Sequence, residues 1–185
     1  MLRDLIVGPH QISFDITNKC NLRCLHCYNS SGENLASQNE LTDQEVLDFI
    51  DEFKSIKLLN FCFCGGEPLL RKELIVEAAK RLRTYGCENV AMVSNGILMT
   101  DEVIEELINA GVTRIQISLD GIKAESHDRI RNKKGVYEKA TRAIEALVKH
   151  GVDTAVAFTP TSFNISELRA VRAYLLSLIH ISEPT

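Results

Sequence analysis

No stretch of this sequence approaches the roughly 20 consecutive apolar residues of a membrane-spanning helix, so no membrane partner is expected. The opening residues, MLRDLIVGPH, lack the apolar run of a secretory leader, and a cytoplasmic, reducing location is the expectation. Positive charge is not in surplus either. Against 25 Asp and Glu stand 21 Lys and Arg, for a net charge of −4, so no basic footprint for nucleic acid is present. The basic run RIRNKK, Arg129 to Lys134, is short enough to read as a solvated loop, and nucleic acid is not an expected partner. Interdomain linkers and low-complexity tracts are also missing. What remains, 185 residues with 45% hydrophobic and 25% charged content, is ordinary for one domain with a proper core.

Cysteine, by contrast, is concentrated. Three of six cysteines fall within eight positions, Cys20, Cys24 and Cys27, directly after an alternating, strand-like stretch. In a reducing compartment such a cluster points to metal or catalysis rather than to disulfides. Three thiolates on one short loop can bind three irons of a [4Fe-4S] cluster and leave the fourth iron without a protein ligand. A zinc site with His26 as fourth ligand stays open as an alternative, although His26, squeezed between Cys24 and Cys27, has poor reach. Cys62 and Cys64 alternate on one strand face with Phe61 and Phe63 on the other. Cys62 and Cys87 read as small apolar core residues, whereas Cys64, next to Gly65, is placed to approach a pocket.

Short apolar runs, several β-branched, recur at Gln11 to Thr17, Leu58 to Cys64, Asn89 to Ser94, Thr113 to Leu119 and Val152 to Thr159, and read as five strands. Between them lie helical patterns, capped by Thr42 with Glu45 and by Thr100, and followed by Gly86, Gly111 and Gly151 where the chain turns back into a strand. Repeated βα units force parallel strands, in either a doubly wound sheet or a barrel. Both put ligands at the strand carboxyl ends. There the polar segments fall: the cysteine loop, GGEP, SNG and SLDG. The loop Asn29 to Glu40 is the longest unpatterned segment and a candidate lid.

The order of these segments is far more specific than the cysteines alone. Cys20-Asn21-Leu22-Arg23-Cys24-Leu25-His26-Cys27, Gly65-Gly66-Glu67-Pro68, then SNG, ISLDG and HDRIR together resemble the radical S-adenosylmethionine (SAM) enzymes. The closest likeness is to the branch whose members often carry a SPASM or related C-terminal domain, which includes peptide and cofactor maturases. The resemblance covers Gln11 to about Leu175. It implies an α/β fold, a partial (β/α)6 TIM-like barrel, truncated here after the fifth strand and helix. It further implies that Cys20, Cys24 and Cys27 hold a [4Fe-4S] cluster whose open iron takes SAM. Reductive cleavage would then give a 5′-deoxyadenosyl radical that abstracts hydrogen from a peptide or small cofactor precursor. Peptide maturation comes first, and a molybdenum-cofactor or haem-type step second. A one-electron donor such as flavodoxin or ferredoxin is the implied partner.

Residue by residue, the resemblance sets His26 beside the adenine, Gly65 and Gly66 where backbone approaches SAM, and Glu67 at its ammonium. Ser118 and Asp120 are matched to its ribose hydroxyls or carboxylate, Ser94 and Asn95 to the same face, and Arg131 to the carboxylate. The last ten residues, LSLIHISEPT, are what a common transposase sequencing adapter encodes. They are expected to be non-native, leaving 1–175 as the radical SAM core and 176–185 as a tail. From another class, the chain could be a non-catalytic iron–sulfur or zinc-binding module that merely displays the cysteine loop. An intact cysteine loop together with an intact GGEP argues against a degenerate pseudoenzyme.

Overall fold

The computed structural model describes residues 8–32, 39–56 and 58–179. The first seven residues, the middle of the Asn29 to Glu40 loop and the last six residues of the adapter-like tail lie outside the described residues. Five strands follow in chain order: β1 (Gln11–Thr17), β2 (Asn60–Gly65), β3 (Asn89–Ser94), β4 (Arg114–Ser118) and β5 (Asp153–Ala157). The helices are α1 (Asp43–Asp51), α2 (Lys72–Thr84), α3 (Asp101–Ala110), α4 (Ala124–Arg131), α5 (Val136–Lys149) and α6 (Leu168–Ile179).

All neighbouring strands are parallel and pair in the order β1-β2-β3-β4-β5. A doubly wound sheet needs a reversal of strand order, and none occurs here. Right-handed crossovers in sequential order keep the helices on one face, so the sheet is an open arc of a barrel. β1 and β5 are its edges among the described residues.

Strand periodicity divides the two faces. Phe61 and Phe63 of β2 register with Val90 and Met92 of β3, and Ile115 and Ile117 continue the same face on β4, all six fully buried. They pack with Ile50, Leu82, Ile104 and Leu147 from the surrounding helices. Burying each phenylalanine is worth about 2–3 kcal/mol. Register is therefore firm, since a one-residue slip of β2 would exchange its phenylalanines for Cys62 and Cys64. Those cysteines, with Val93, Gln116 and Ser118, face the inner side of the arc and stay partly exposed.

Local signals explain the helix ends. Thr42 Oγ1 accepts from the Glu45 N–H at 3.3 Å while Glu45 Oε2 accepts from the Thr42 N–H at 2.8 Å, a complete capping box for α1. Gly86, Gly111 and Gly151 take positive φ of 88°, 97° and 71° at the helix-to-strand junctions. One expectation is corrected. Arg129 to Arg131 are not a solvated loop but the last turn of α4. Its buried side is His127, Ile130 and Arg131, so polar residues occupy the packed positions and hide the helical period. Asp128 then caps the start of α5, its carboxylate accepting from the N–H groups of Gly135, Val136 and Tyr137. At the far end, α6 runs through Leu176 to Ile179, with Val171 and Leu178 buried against the core. Among the described residues no helix is long and apolar enough to cross a membrane.

Candidate functional site

The carboxyl ends of the strands open on a cavity of about 540 Å³. Cys20, Cys24, His26 and Cys27 line it from one side, and Cys64, Gly65 and Gly66 from the end of β2. Ser94 and Asn95 join from β3, Gln116 and Ser118 from β4, Arg131 from α4, and Thr159 from beyond β5. Ten of the twelve site residues read from the sequence, together with Cys64, thus meet in one place, and Glu67 and Asp120 lie just behind it.

Backbone contacts fasten the cysteine loop to the GGEP segment. Gly66 N–H donates to Thr17 O at 2.8 Å and Glu67 N–H to Lys19 O at 2.9 Å. A Cβ on Gly66 would lie 2.7 Å from Lys19 C and 2.9 Å from Asn18 O, and closer still to Lys19 O. At Gly65 φ is +120°, a conformation that side-chain-bearing residues rarely take, and a Cβ there would strike Thr17 O. The Gly-Gly pair is required first by this seam between β1 and β2.

Each loop sulfur accepts one N–H. Leu22 N–H donates to Cys20 Sγ at 3.4 Å, Ser31 N–H to Cys27 Sγ at 3.4 Å, and Arg131 Nη1 to Cys24 Sγ at 3.7 Å. Burial pushes the Cys20 and Cys24 thiols above their ordinary range; at Cys24 the Arg131 charge opposes it. Such thiols give up their protons when a metal takes the sulfur. Among the described residues no three of His, Cys, Asp or Glu converge as ligands to a single ion. A polynuclear cluster would bind each of the three cysteines to a different iron. His26 also turns from the zinc role, with Nε2 directed at Asp120 Oδ2 at 3.5 Å. Burial is the chief cause holding His26 below its usual pKa.

Glu67 is fully buried, and its carboxylate is engaged by the protein. Oε1 accepts from Leu69 N–H at 3.2 Å and Ser94 Oγ at 2.9 Å, and Oε2 from Asn95 N–H at 2.9 Å. Burial raises its pKa against the pull of these three bonds. The side chain ties the turn after β2 to the SNG segment after β3, whose Asn95 Nδ2 donates to Asn21 Oδ1 of the cysteine loop at 2.7 Å. Asp120, also fully buried, pairs with Arg131 Nη2 at 2.7 Å and accepts from Thr159 N–H at 2.9 Å. Gln116 and Thr159 line the cavity without having been singled out. Gln116 was legible from its period-2 spacing to Ser118, whereas nothing local marks Thr159. The Cys64 thiol donates to Cys62 Sγ at 3.5 Å, which raises Cys64 and lowers Cys62 in pKa. Cys62 therefore belongs to the inner face, not to the apolar core, while Cys87 is buried as expected.

His127 holds the backbone of Asp120, its Nδ1 accepting the Asp120 N–H at 3.0 Å, so the ring is neutral in the fold. Burial first, and the Arg131 charge second, bring its pKa from 6.5 to about 4. A histidine depressed in the native state contributes stability that is complete above the unfolded pKa and is lost as pH falls from 6.5 toward about 4. The slope is about 1.4 kcal/mol per pH unit. His127→Asn keeps an acceptor for Asp120 but does not titrate. Urea denaturation should show wild type losing about 2 kcal/mol more than the variant between pH 6.5 and pH 5. Parallel pH curves for the two proteins would contradict a neutral His127.

The family model described as Radical SAM superfamily matches residues 14–175. The chain belongs to the radical SAM superfamily. Among its relatives, the AdoMet-dependent heme synthase of Methanosarcina barkeri is 36% identical over 164 residues, covering 87% of this chain and 45% of that protein. The mycofactocin maturase MftC of Mycolicibacterium smegmatis is 34% identical over 164 residues, covering 87% and 40%. SuiB of Streptococcus suis, at 12% identity, shares the fold with a TM-score of 0.75 over 95% of this chain and 39% of SuiB. A second SuiB structure, bound to S-adenosylmethionine, aligns with a TM-score of 0.69, at 14% identity over 95% of this chain and 39% of SuiB. This radical SAM chain therefore spans less than half the length of the curated relatives it matches, and those relatives are enzymes. The family implies a [4Fe-4S] cluster and SAM as cofactors.

Proposed function

We propose that this chain is the catalytic core of a radical SAM maturase, which cleaves SAM reductively to modify a peptide. The observation that carries the reading is the convergence of three N–H-bonded loop thiols with the Cβ-free Gly65-Gly66 backbone on one cavity. In this reading Cys20, Cys24 and Cys27 hold the cluster. When bound, the cluster supplies one electron to SAM.

The chain's own groups do the rest by position. Gly65 and Gly66 bring their backbone to the cavity wall, their Cβ-free sides packed on the β1 seam. Ser94, Asn95 and Ser118 present polar groups at three successive strand ends, and His26 stands at the rim for the adenine. Glu67 and Asp120, each engaged by protein donors, shape the site from behind it. The inner face of the barrel arc, with Cys64 and Gln116, receives the substrate, and positioning with exclusion of competing reactions is the protein's task. A one-electron donor such as flavodoxin or ferredoxin is the partner this chemistry needs, in the cytoplasm.

A haem-type precursor is the second substrate reading, favoured by the 36% identity to the haem synthase. The segment 176–185 stays proposed as a non-native tail on a 1–175 core. Protein reconstituted anaerobically with iron and sulfide should release 5′-deoxyadenosine from SAM under strong reductant, and Cys24→Ala should abolish the release. A protein that holds a [4Fe-4S] cluster yet leaves SAM intact, in this chain and at full length, would instead be the non-catalytic iron–sulfur module.

A further inference from the structure

We propose that Arg131 is a positioning residue that raises the reduction potential of the cluster through its hydrogen bond to Cys24, with Asp120 as its anchor. The inference rests on Cys20, Cys24 and Cys27 being the cluster ligands. Two of the three sulfurs accept from backbone N–H groups of the loop itself, Leu22 onto Cys20 and Ser31 onto Cys27. Those donors are neutral and fixed by the loop's own path. The third donor differs in kind. Arg131 Nη1 reaches Cys24 Sγ at 3.7 Å from 107 residues away, and it brings a full positive charge.

That charge is held in place. Arg131 is only 8% exposed, and its other arm, Nη2, pairs at 2.7 Å with the fully buried Asp120. Asp120 is fixed in turn by Thr159 N–H on its Oδ1 and by His127 behind its backbone. Each Nη atom thus has a protein partner, the sulfur for Nη1 and the carboxylate for Nη2, while the buried Nε has none among the described residues. The resemblance matches Arg131 to the SAM carboxylate; in the protein itself its Nη atoms meet the Cys24 sulfur and the Asp120 carboxylate.

Reduction adds one negative charge to a cluster. An N–H donor and a cation at a cluster sulfur favour the reduced state more than the oxidised one, and hydrogen bonds to sulfur are among the determinants of cluster potential. Burial of Arg131 and Asp120 away from water strengthens the effect. Arg131 touches the sulfur directly, whereas Asp120 acts on it through Arg131, so the positive end of the pair faces the cluster. Removing it should make the cluster harder to reduce.

The experiment is a redox titration of the anaerobically reconstituted protein, followed by the electron paramagnetic resonance of the reduced cluster in the absence of SAM. Arg131→Gln should lower the ratio of reduced to oxidised cluster about tenfold at the wild-type midpoint, equivalent to a fall of about 59 mV for one electron. Arg131→Lys keeps the charge but cannot serve sulfur and carboxylate with one fork, and should fall between. If Arg131→Gln loads no cluster, Arg131→Lys decides: a midpoint below wild type supports the proposal, and an unchanged one overturns it. A midpoint that moves only after SAM is added makes Arg131 a SAM ligand and also overturns it. A wild-type protein that forms no cluster overturns the cluster reading itself, a result distinct from a cluster of unchanged potential.

Discussion

Gly66→Ala should remove most of the iron that wild-type protein binds on anaerobic reconstitution and cost about 3 kcal/mol in denaturation. The new methyl would meet three backbone atoms of the cysteine loop, Lys19 C at 2.7 Å, Asn18 O at 2.9 Å and Lys19 O closer still. Backbone cannot rotate aside as a side-chain end can. Relief requires the cysteine loop to lift from the turn after β2, which breaks the bonds from Gly66 N–H to Thr17 O and from Glu67 N–H to Lys19 O. The three sulfurs then no longer face the cavity together. Gly86→Ala is the control, because its Cβ meets nothing within 4 Å although φ is +88°. That variant should cost about 1 kcal/mol of backbone strain and bind wild-type amounts of iron. Equal iron content in the two alanine variants would mean that the seam does not position the loop.

The same seam shows how much of the site was open to reading in the chain. Alternation in β1, β3 and β4, the Thr42–Glu45 box and the glycines after the helices are local patterns, and the sequential βα order that they build puts the cysteine loop, GGEP, SNG and SLDG at one end of the sheet. What escaped reading is side-chain pairing over distance. Glu67 carries the motif that marks a SAM contact, yet its carboxylate is engaged 27 and 28 residues on by Ser94 and Asn95. Asp120 and Arg131 each read as ligand-facing polar residues. Their pairing depends on α4, whose buried His127 and Arg131 make a packed helix look like a solvated loop. Periodicity locates a strand end; it does not say which way a carboxylate there will turn.

Asp120→Ala should be the most destabilising single substitution behind the cavity, with an expected cost of about 3–5 kcal/mol in urea denaturation at neutral pH. The carboxylate is fully buried, 2.7 Å from Arg131 Nη2, and Oδ1 accepts the Thr159 N–H at 2.9 Å. Deleting it strands a guanidinium that is itself only 8% exposed, and a buried charge without a counter-charge is what makes breaking such a pair expensive. The pair as a whole need not stabilise the fold much, since desolvation offsets most of its attraction. Asp120→Ala combined with Arg131→Met should therefore recover a large part of the loss, by about 2 kcal/mol or more, because no orphan charge remains. A loss below about 1 kcal/mol for the single variant would mean that water reaches Arg131 readily. Full additivity in the double variant would mean that the two side chains act independently, in which case Asp120 could not serve as the anchor that keeps Arg131 on the Cys24 sulfur.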